Sequence, residues 1–297
     1  MSASEIVQQF VNALSLGSTF ALLALGLAVL FSIMGLINFA HGDLLTIGGY
    51  TMWYCAEHDI SWLLMIPITI VVTTIVAVLM ERIAFRPLRG AGVVTLLLTS
   101  FAVGFFIENL LSIGISARPK GIPLPDWVDH AVAVGSVTVP VIQLVTIAVV
   151  FICLVLLAAM LRRTTIGISM RAAADDFDAV RIVGVRAHRV VTAAFAISGL
   201  LAGVASLLYF ARSGSVTPTS GFNPIVMAFI AVVIGGLGSL QGAVAGGFLL
   251  GFVQVGLQAS LPDGVLPFTD AFALMLVIAI LLVRPNGLFG RRVEVAT

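Results

Sequence analysis

The sequence predicts an all-α protein, a polytopic transmembrane helical bundle of eight to nine spans with interrupted Gly-rich segments. Three observations predict it. Of 297 residues, 60% are hydrophobic and only 10% charged, where a soluble domain is about 45–50% apolar and roughly 25% charged. A mean hydropathy of +1.16 leaves too little polar surface to coat a globule of this size. Apolar runs recur along the whole chain, and about 20 residues make one crossing. Together these exclude a soluble enzyme, a disordered tail and a coiled coil. A net charge of +1 supplies no bulk field to recruit nucleic acid.

The runs are bounded by charge, Pro or Gly and cover 9–34, 40–56, 62–84, 93–115, 139–161, 190–212, 224–240, 241–261 and 268–283. MSASEIVQQF lacks a positive n-region, and the stretch behind it is too long for a signal peptide, so it reads as the flank of a true first span. The second run is short and Gly-rich. The seventh and eighth are parted only by Gly-Ser-Leu-Gln-Gly. Interrupted segments of this kind are where a transporter breaks a helix to line a cavity.

Charge sets the direction. Arg82, Arg86 and Arg89 follow the third run. Arg162, Arg163, Arg171, Arg181, Arg186 and Arg189 fill the gap after the fifth. Arg284, Arg291 and Arg292 close the chain. The positive-inside rule puts these regions in the cytoplasm, with the N-terminus outside, and nine crossings or eight plus a re-entrant piece. Glu57-His58-Asp59 and the loops 116–138, 213–223 and 262–267 then lie outside, with Trp53, Trp62 and Trp127 as an interfacial belt. Glu81, beside Arg82, reads as a carboxylate snorkelling from a helix end.

Small residues recur at helical spacing: Gly199 and Gly203, Gly242 and Gly246, Gly247 and Gly251. Gly35, Gly42 and Gly49 recur every seven. Such stripes let backbones approach within a bundle; lining of a narrow path is the alternative. Cys55 and Cys153 are small apolar residues far apart, with no disulfide or zinc spacing. The sole lysine, Lys120, follows a proline, so the chain has no G-x-x-x-x-G-K-[ST] loop. If ATP drives the process, a partner hydrolyses it.

Ionisable groups in hydrocarbon cost about 2.5–3.5 kcal/mol and are functional candidates by default. The second run carries Asn38, His41 and Asp43. A helix there puts Asn38 and His41 on one face; a re-entrant backbone would use all three to hold its turn. Glu108 and Asn109 sit in the fourth run, where a carboxylate needs a donor or a proton. Each is either a structural partner or a contact on a substrate path. Residues 162–189 set six arginines against Asp175, Asp176 and Asp178. A short amphipathic helix over 169–183, ended by Gly184, is expected. It is either a basic loop on lipid headgroups or a docking helix whose face of Ala172, Ala173, Ala174 and Ala179 enters a partner's groove.

GLINFAHGDLLTIGGY at 35–50, RAAADDFDAVRIVGVR at 171–186, GGLGSLQGAVAGGFLLG at 235–251 and RPNGLFGR at 284–291 resemble, in consistent order, permease subunits of branched-chain amino-acid ABC importers. Urea and short-chain amide permeases look similar. The resemblance implies one permease domain over 1–297 in a bacterial inner (plasma) membrane. It also implies a second homologous permease, two ATP-binding subunits and an extracytoplasmic substrate-binding protein. ATP-Mg would sit in those partners, with no cofactor in this chain. The family's docking loop maps onto Arg171, Ala172, Ala174, Asp175, Asp176 and Gly184, with Ala-Ala-Ala-Asp in place of the wider class's Glu-Ala-Ala. A self-sufficient ion-coupled carrier, using Asp43 and Glu108 as proton or sodium sites, is the alternative from a different class.

Overall fold

The computed structural model describes residues 3–88, 90–128, 130–134, 137–182, 184–284 and 287–289. The expectations for Arg89, Arg291 and Arg292, and for the side chains of Asp178 and Arg181, lie outside the described residues. Seven helices have the length and apolarity to cross a bilayer. They are α1 (Ala3–Met34), α3 (Trp62–Met80, continued by a π-turn over Glu81–Phe85), α4 (Val93–Gly114), α5 (Val141–Arg163), α8 (Ala187–Ser213), α10 (Leu240–Ser260) and α11 (Thr269–Val283, preceded by a 3-10 turn). Two more helices are shorter: α2 (His41–Glu57) and the apolar α9 (Phe222–Gly235). At 1.5 Å per residue they reach about 25 and about 21 Å, against a hydrocarbon layer of about 30 Å. These are two of the segments marked as interrupted in the sequence, so eight to nine spans resolve into seven full helices and two partial ones.

Helix α1 is the hub. Its central window is 83% buried, whereas those of α4 and α11 are 22% and 17% buried. Glycine makes the closest seams. A Cβ on Gly247 would strike the Ala21 backbone and one on Gly251 the Gly17 backbone, so α10 lies directly on α1. Gly199 and Gly203 play the same part for α8 on α3, meeting Ala77 and Thr73. The small-residue stripes are therefore packing faces, where dispersion replaces the hydrophobic drive that lipid removes. Gly35 is the exception. It sits outside any helix at φ +62° and ends α1, so the seven-residue repeat with Gly42 and Gly49 does not run along one helix.

Two small antiparallel pairs close one end. β1 (Lys120–Gly121) pairs with β4 (Ser215–Val216) in the register Lys120 to Val216, and β2 (Ala131–Val134) pairs with β3 (Val137–Pro140). Trp62 and Trp127 meet there with ring centroids 5.6 Å apart, and the Lys120 ammonium lies 4.8 Å over the Trp53 ring. At the opposite end the amides of Leu288 and Phe289 donate to the carbonyls of Ile234 (2.8 Å) and Gly235 (2.9 Å), stitching the tail to the end of α9.

Three expectations change. Glu81 does not snorkel: it is 1% exposed and accepts a 3.1 Å bond from Thr192 Oγ1 of α8. The expected helix over 169–183 is two, α6 (Thr165–Asp175) and α7 (Phe177–Ile182). The break falls at Asp176, whose φ −153° is extended and whose Oδ1 accepts from the Ala179 amide at 2.9 Å. An aspartate that caps the next helix interrupts the previous one. The four alanines do not share a face, because consecutive helical residues diverge by about 100°: Ala173 is buried against the bundle while Ala172, Ala174 and Ala179 are exposed. Thr192→Val should lower unfolding stability by about 0.5–1.5 kcal/mol, the net worth of one hydrogen bond. Denaturation of the detergent-purified chain measures this, and an unchanged midpoint would refute the role given to Glu81.

Candidate translocation path

The chain leaves α1 at Gly35 and winds through a turn in which the His41, Gly42 and Asp43 amides donate to the carbonyls of Asn38, Phe39 and Ala40. Asn38 is thus not on a helix with His41: α2 begins at His41. No side chain caps that start, and Asp43 in its first turn complements the positive end of the helix. Helix α9 begins beside it. The Gly221 amide donates to Thr46 Oγ1 at 2.9 Å. A Cβ on Gly42 would sit 2.6 Å from the Gly221 carbonyl oxygen, and one on Gly221 would strike the Gly42 carbonyl. Pro224, in the first turn of α9, has no amide to leave unsatisfied there.

From this crossing the two helices diverge. α2 runs to the end carrying Trp53, and α9 runs to the end where Leu288 docks. Its depth is fixed by neighbours near the middle of long helices. Asp43 faces Gly104 of α4, and His41 faces Ser198 of α8. Two partial helices whose N-termini meet inside a bundle, with non-helical chain leading into each, form the broken-helix arrangement that lines a cavity at membrane depth.

The sequence candidates divide here. Asn38 and His41 are wholly buried. Asn38 Nδ2 reaches only Met80 Sδ at 3.8 Å, and His41 Nδ1 pairs with Ser198 Oγ at 2.9 Å while its ring fills the space left by Gly26. Asp43 and Glu108 both belong to the α2–α4 seam. Asp43 is 6% exposed, its Oδ2 lies over Gly104, and half-buried Glu108 sits one helical turn beyond that glycine on α4. Neither carboxylate has an Arg or Lys partner among the described residues. Asn109 points elsewhere, exposed and bonded to the Phe105 carbonyl of its own helix at 2.7 Å. No hydrogen bond joins these five residues to one another among those observed.

Sequence reasoning missed three rings and the crossing glycine. Phe39 stacks on Phe101 of α4 at 4.6 Å and tilts against Phe229 of α9 at 5.3 Å. Both partners lie toward the basic end of their helices relative to the Gly104 and Gly221 contacts of α2. Gly221-Phe-Asn-Pro was a readable helix start, but nothing local announced that Gly42 would meet it. Among the described residues no group of three or more His, Cys, Asp or Glu could hold a metal.

At the basic end, Arg171, Ala172, Ala174, Asp175, Asp176 and Gly184 are all exposed on α6, α7 and the turn after them. Gly184 holds φ +89° in open space, ready for the reversal into α8. Ser198→Ala should loosen the start of α2 by about 1 kcal/mol, read as faster cysteine labelling at a Phe39→Cys reporter; equal labelling rates would remove the His41–Ser198 bond from the account.

Broken helices, carboxyl groups at membrane depth and a shell of apolar spans define the class as multi-pass membrane proteins with a broken-helix core. Residues 9–283 match the family described as branched-chain amino acid transport system / permease component, and the chain belongs to it. It is 33% identical over 297 residues to the high-affinity branched-chain amino acid transport system permease protein BraD of Pseudomonas aeruginosa, covering 96% of each chain. To the corresponding permease protein LivH of Escherichia coli it is 31% identical over 297 residues, again 96% of each. A probable branched-chain amino acid transport permease protein of Methanocaldococcus jannaschii is 28% identical over 279 residues, 91% of this chain and 88% of that one. No solved structure matches the chain at comparable significance.

Proposed function

We propose that this chain is one permease subunit of an ATP-driven importer of branched-chain amino acids. The observation that carries the reading is the pairing of family membership across residues 9–283 with two carboxyl groups, Asp43 and Glu108, that have no basic partner among the described residues and lie near three phenyl rings. A zwitterionic amino acid with an aliphatic side chain supplies what this site lacks. Its ammonium answers the carboxylates, and its side chain slides along Phe39, Phe101 and Phe229. Asn38 and His41 are assigned to holding the turn, and Asn109 to the α4 surface away from the carboxylates.

The driving force is assigned to partners. Two ATP-binding subunits, with ATP-Mg, bind the α6–α7 surface at Arg171, Ala172, Ala174, Asp175, Asp176 and Gly184. A substrate-binding protein docks on loops 57–61, 116–138 and 213–223. A second homologous permease covers the peripheral face of α4, where Asn109 is too costly to leave in lipid. A rigid pair of helices fixed by the Asp176 cap passes motion into α8, and with it to Ser198, His41 and the crossing of α2 and α9.

Uptake into vesicles carrying the complete complex tests the assignment. Accumulation of leucine, isoleucine or valine that requires ATP and the binding protein is the expected result. Accumulation driven by an ion gradient with this chain alone would replace it with the carrier reading, and ATP-dependent uptake of urea or amides only would replace the cargo. An Asp176→Pro substitution should cut ATPase pull-down and uptake together by tenfold or more, while the purified chain keeps its helical signal. Unchanged pull-down would move the docking surface elsewhere.

A further inference from the structure

We propose that the cleft between α6 and the start of α8 is a binding site for the phosphate headgroup of an anionic phospholipid from the inner leaflet. The cleft has a volume of about 240 Å³ and is lined by Thr165, Ile166, Ser169, Val185, Arg186, Arg189 and Val190. Two guanidiniums flank it and no carboxylate lines it. Neither Arg186 nor Arg189 has a side-chain acceptor among the described residues, and both are exposed. Guanidinium presents paired donors that match phosphate oxygens. The Ser169 hydroxyl donates back to the Thr165 carbonyl at 2.9 Å, which leaves its oxygen as an acceptor for a headgroup hydroxyl.

The surroundings select a lipid over a free anion or an acidic peptide. α6 starts two residues after α5 ends at Arg163, so the cleft lies where α5 leaves the bilayer. Ile166 is 53% exposed, Ile168 52% and Ile182 86%. Of these Ile166 lines the arginine-flanked cleft, and a bare isoleucine there suits a ligand whose charged head continues into acyl chains. Paired basic groups at the cytoplasmic surface attract anionic lipid. The docking surface assigned above uses other residues, so this inference stands apart from the transport reading.

The test is lipid retention by the full-length chain, read by native mass spectrometry from nanodiscs holding phosphatidylglycerol and phosphatidylcholine in equal parts. The expected result is at least tenfold enrichment of phosphatidylglycerol on the unmodified chain. That enrichment should be lost in R186Q/R189Q and kept in R284Q, which removes a charge at the same end but outside the cleft. Equal loss in R284Q would reduce the effect to general surface charge and overturn the proposal. So would enrichment surviving in R186Q/R189Q. Inorganic phosphate that displaces all bound phosphatidylglycerol at millimolar concentration would make the site one for free phosphate and overturn the lipid assignment. A complete complex that retains no phosphatidylglycerol, with R186Q/R189Q weakening ATPase pull-down instead, would assign the cleft to the protein partner. Circular dichroism of each variant separates loss of ligand from loss of fold.

Discussion

Gly42→Val or Gly221→Val should leave almost no folded protein in the membrane. At Gly42 a Cβ meets the Gly221 carbonyl oxygen at 2.6 Å and Ile225 at 2.9 Å; at Gly221 it strikes backbone and Thr46. The obstacles are largely main chain, which no rotamer change relieves. Overpacking a close-packed interior costs about 1–3 kcal/mol when side chains can adjust; here the helices must separate, so about 3 kcal/mol or more is expected. Separation also strips the Gly221 amide of its Thr46 acceptor. Gly92→Val, where a Cβ meets nothing within 4 Å, is the control. Fluorescence-detected gel filtration measures the folded fraction. Normal yield of either crossing variant would mean that α2 and α9 do not touch there.

Asp43→Asn and Glu108→Gln should each slow ATP-driven uptake by about 10- to 150-fold, the kinetic equivalent of one hydrogen bond to a charged group at about 1.5–3 kcal/mol. The combined variant should lose less than the product of the two, because one ammonium is shared by both carboxylates. Affinity of the binding protein for its ligand should not move, since that site is on another molecule. His41→Ala should differ in kind, lowering stability through its buried ring without the same loss per folded complex. Uptake measured per molecule of assembled complex distinguishes the two. Full uptake by Asp43→Asn and Glu108→Gln would take both groups off the path.

The comparison of sequence with structure follows contact range. The seven long helices were legible because lipid demands an apolar run of fixed length, which composition alone reveals. α2 and α9 were legible as interrupted, since glycine density and short length mark them. Their meeting was not: Gly42 and Gly221 are far apart in the chain, and each looks locally like a packing glycine. Glu81 misled for the same reason, because its acceptor role depends on Thr192 of a helix that comes later. The Asp176 break was written locally, in an aspartate three residues before an alanine amide, but a run of alanines argued for continuity. Of the polar candidates, the pairing of Asp43 with Glu108 needed the glycine at 104 to let a carboxylate approach α4. The three phenyl rings carried no sequence signal that distinguishes them from other apolar residues in a bundle.

The stitch between the tail and α9 bears on biogenesis. Leu288 and Phe289 leave the ribosome after α11 and all the helices before it, yet they supply the donors for the carbonyls at the end of α9. The short hairpin of α9 and α10 must therefore wait in the bilayer with those acceptors bare until α11 and the segment behind it have been made. A chain truncated at residue 284 should insert with normal topology and then be cleared by quality-control proteases.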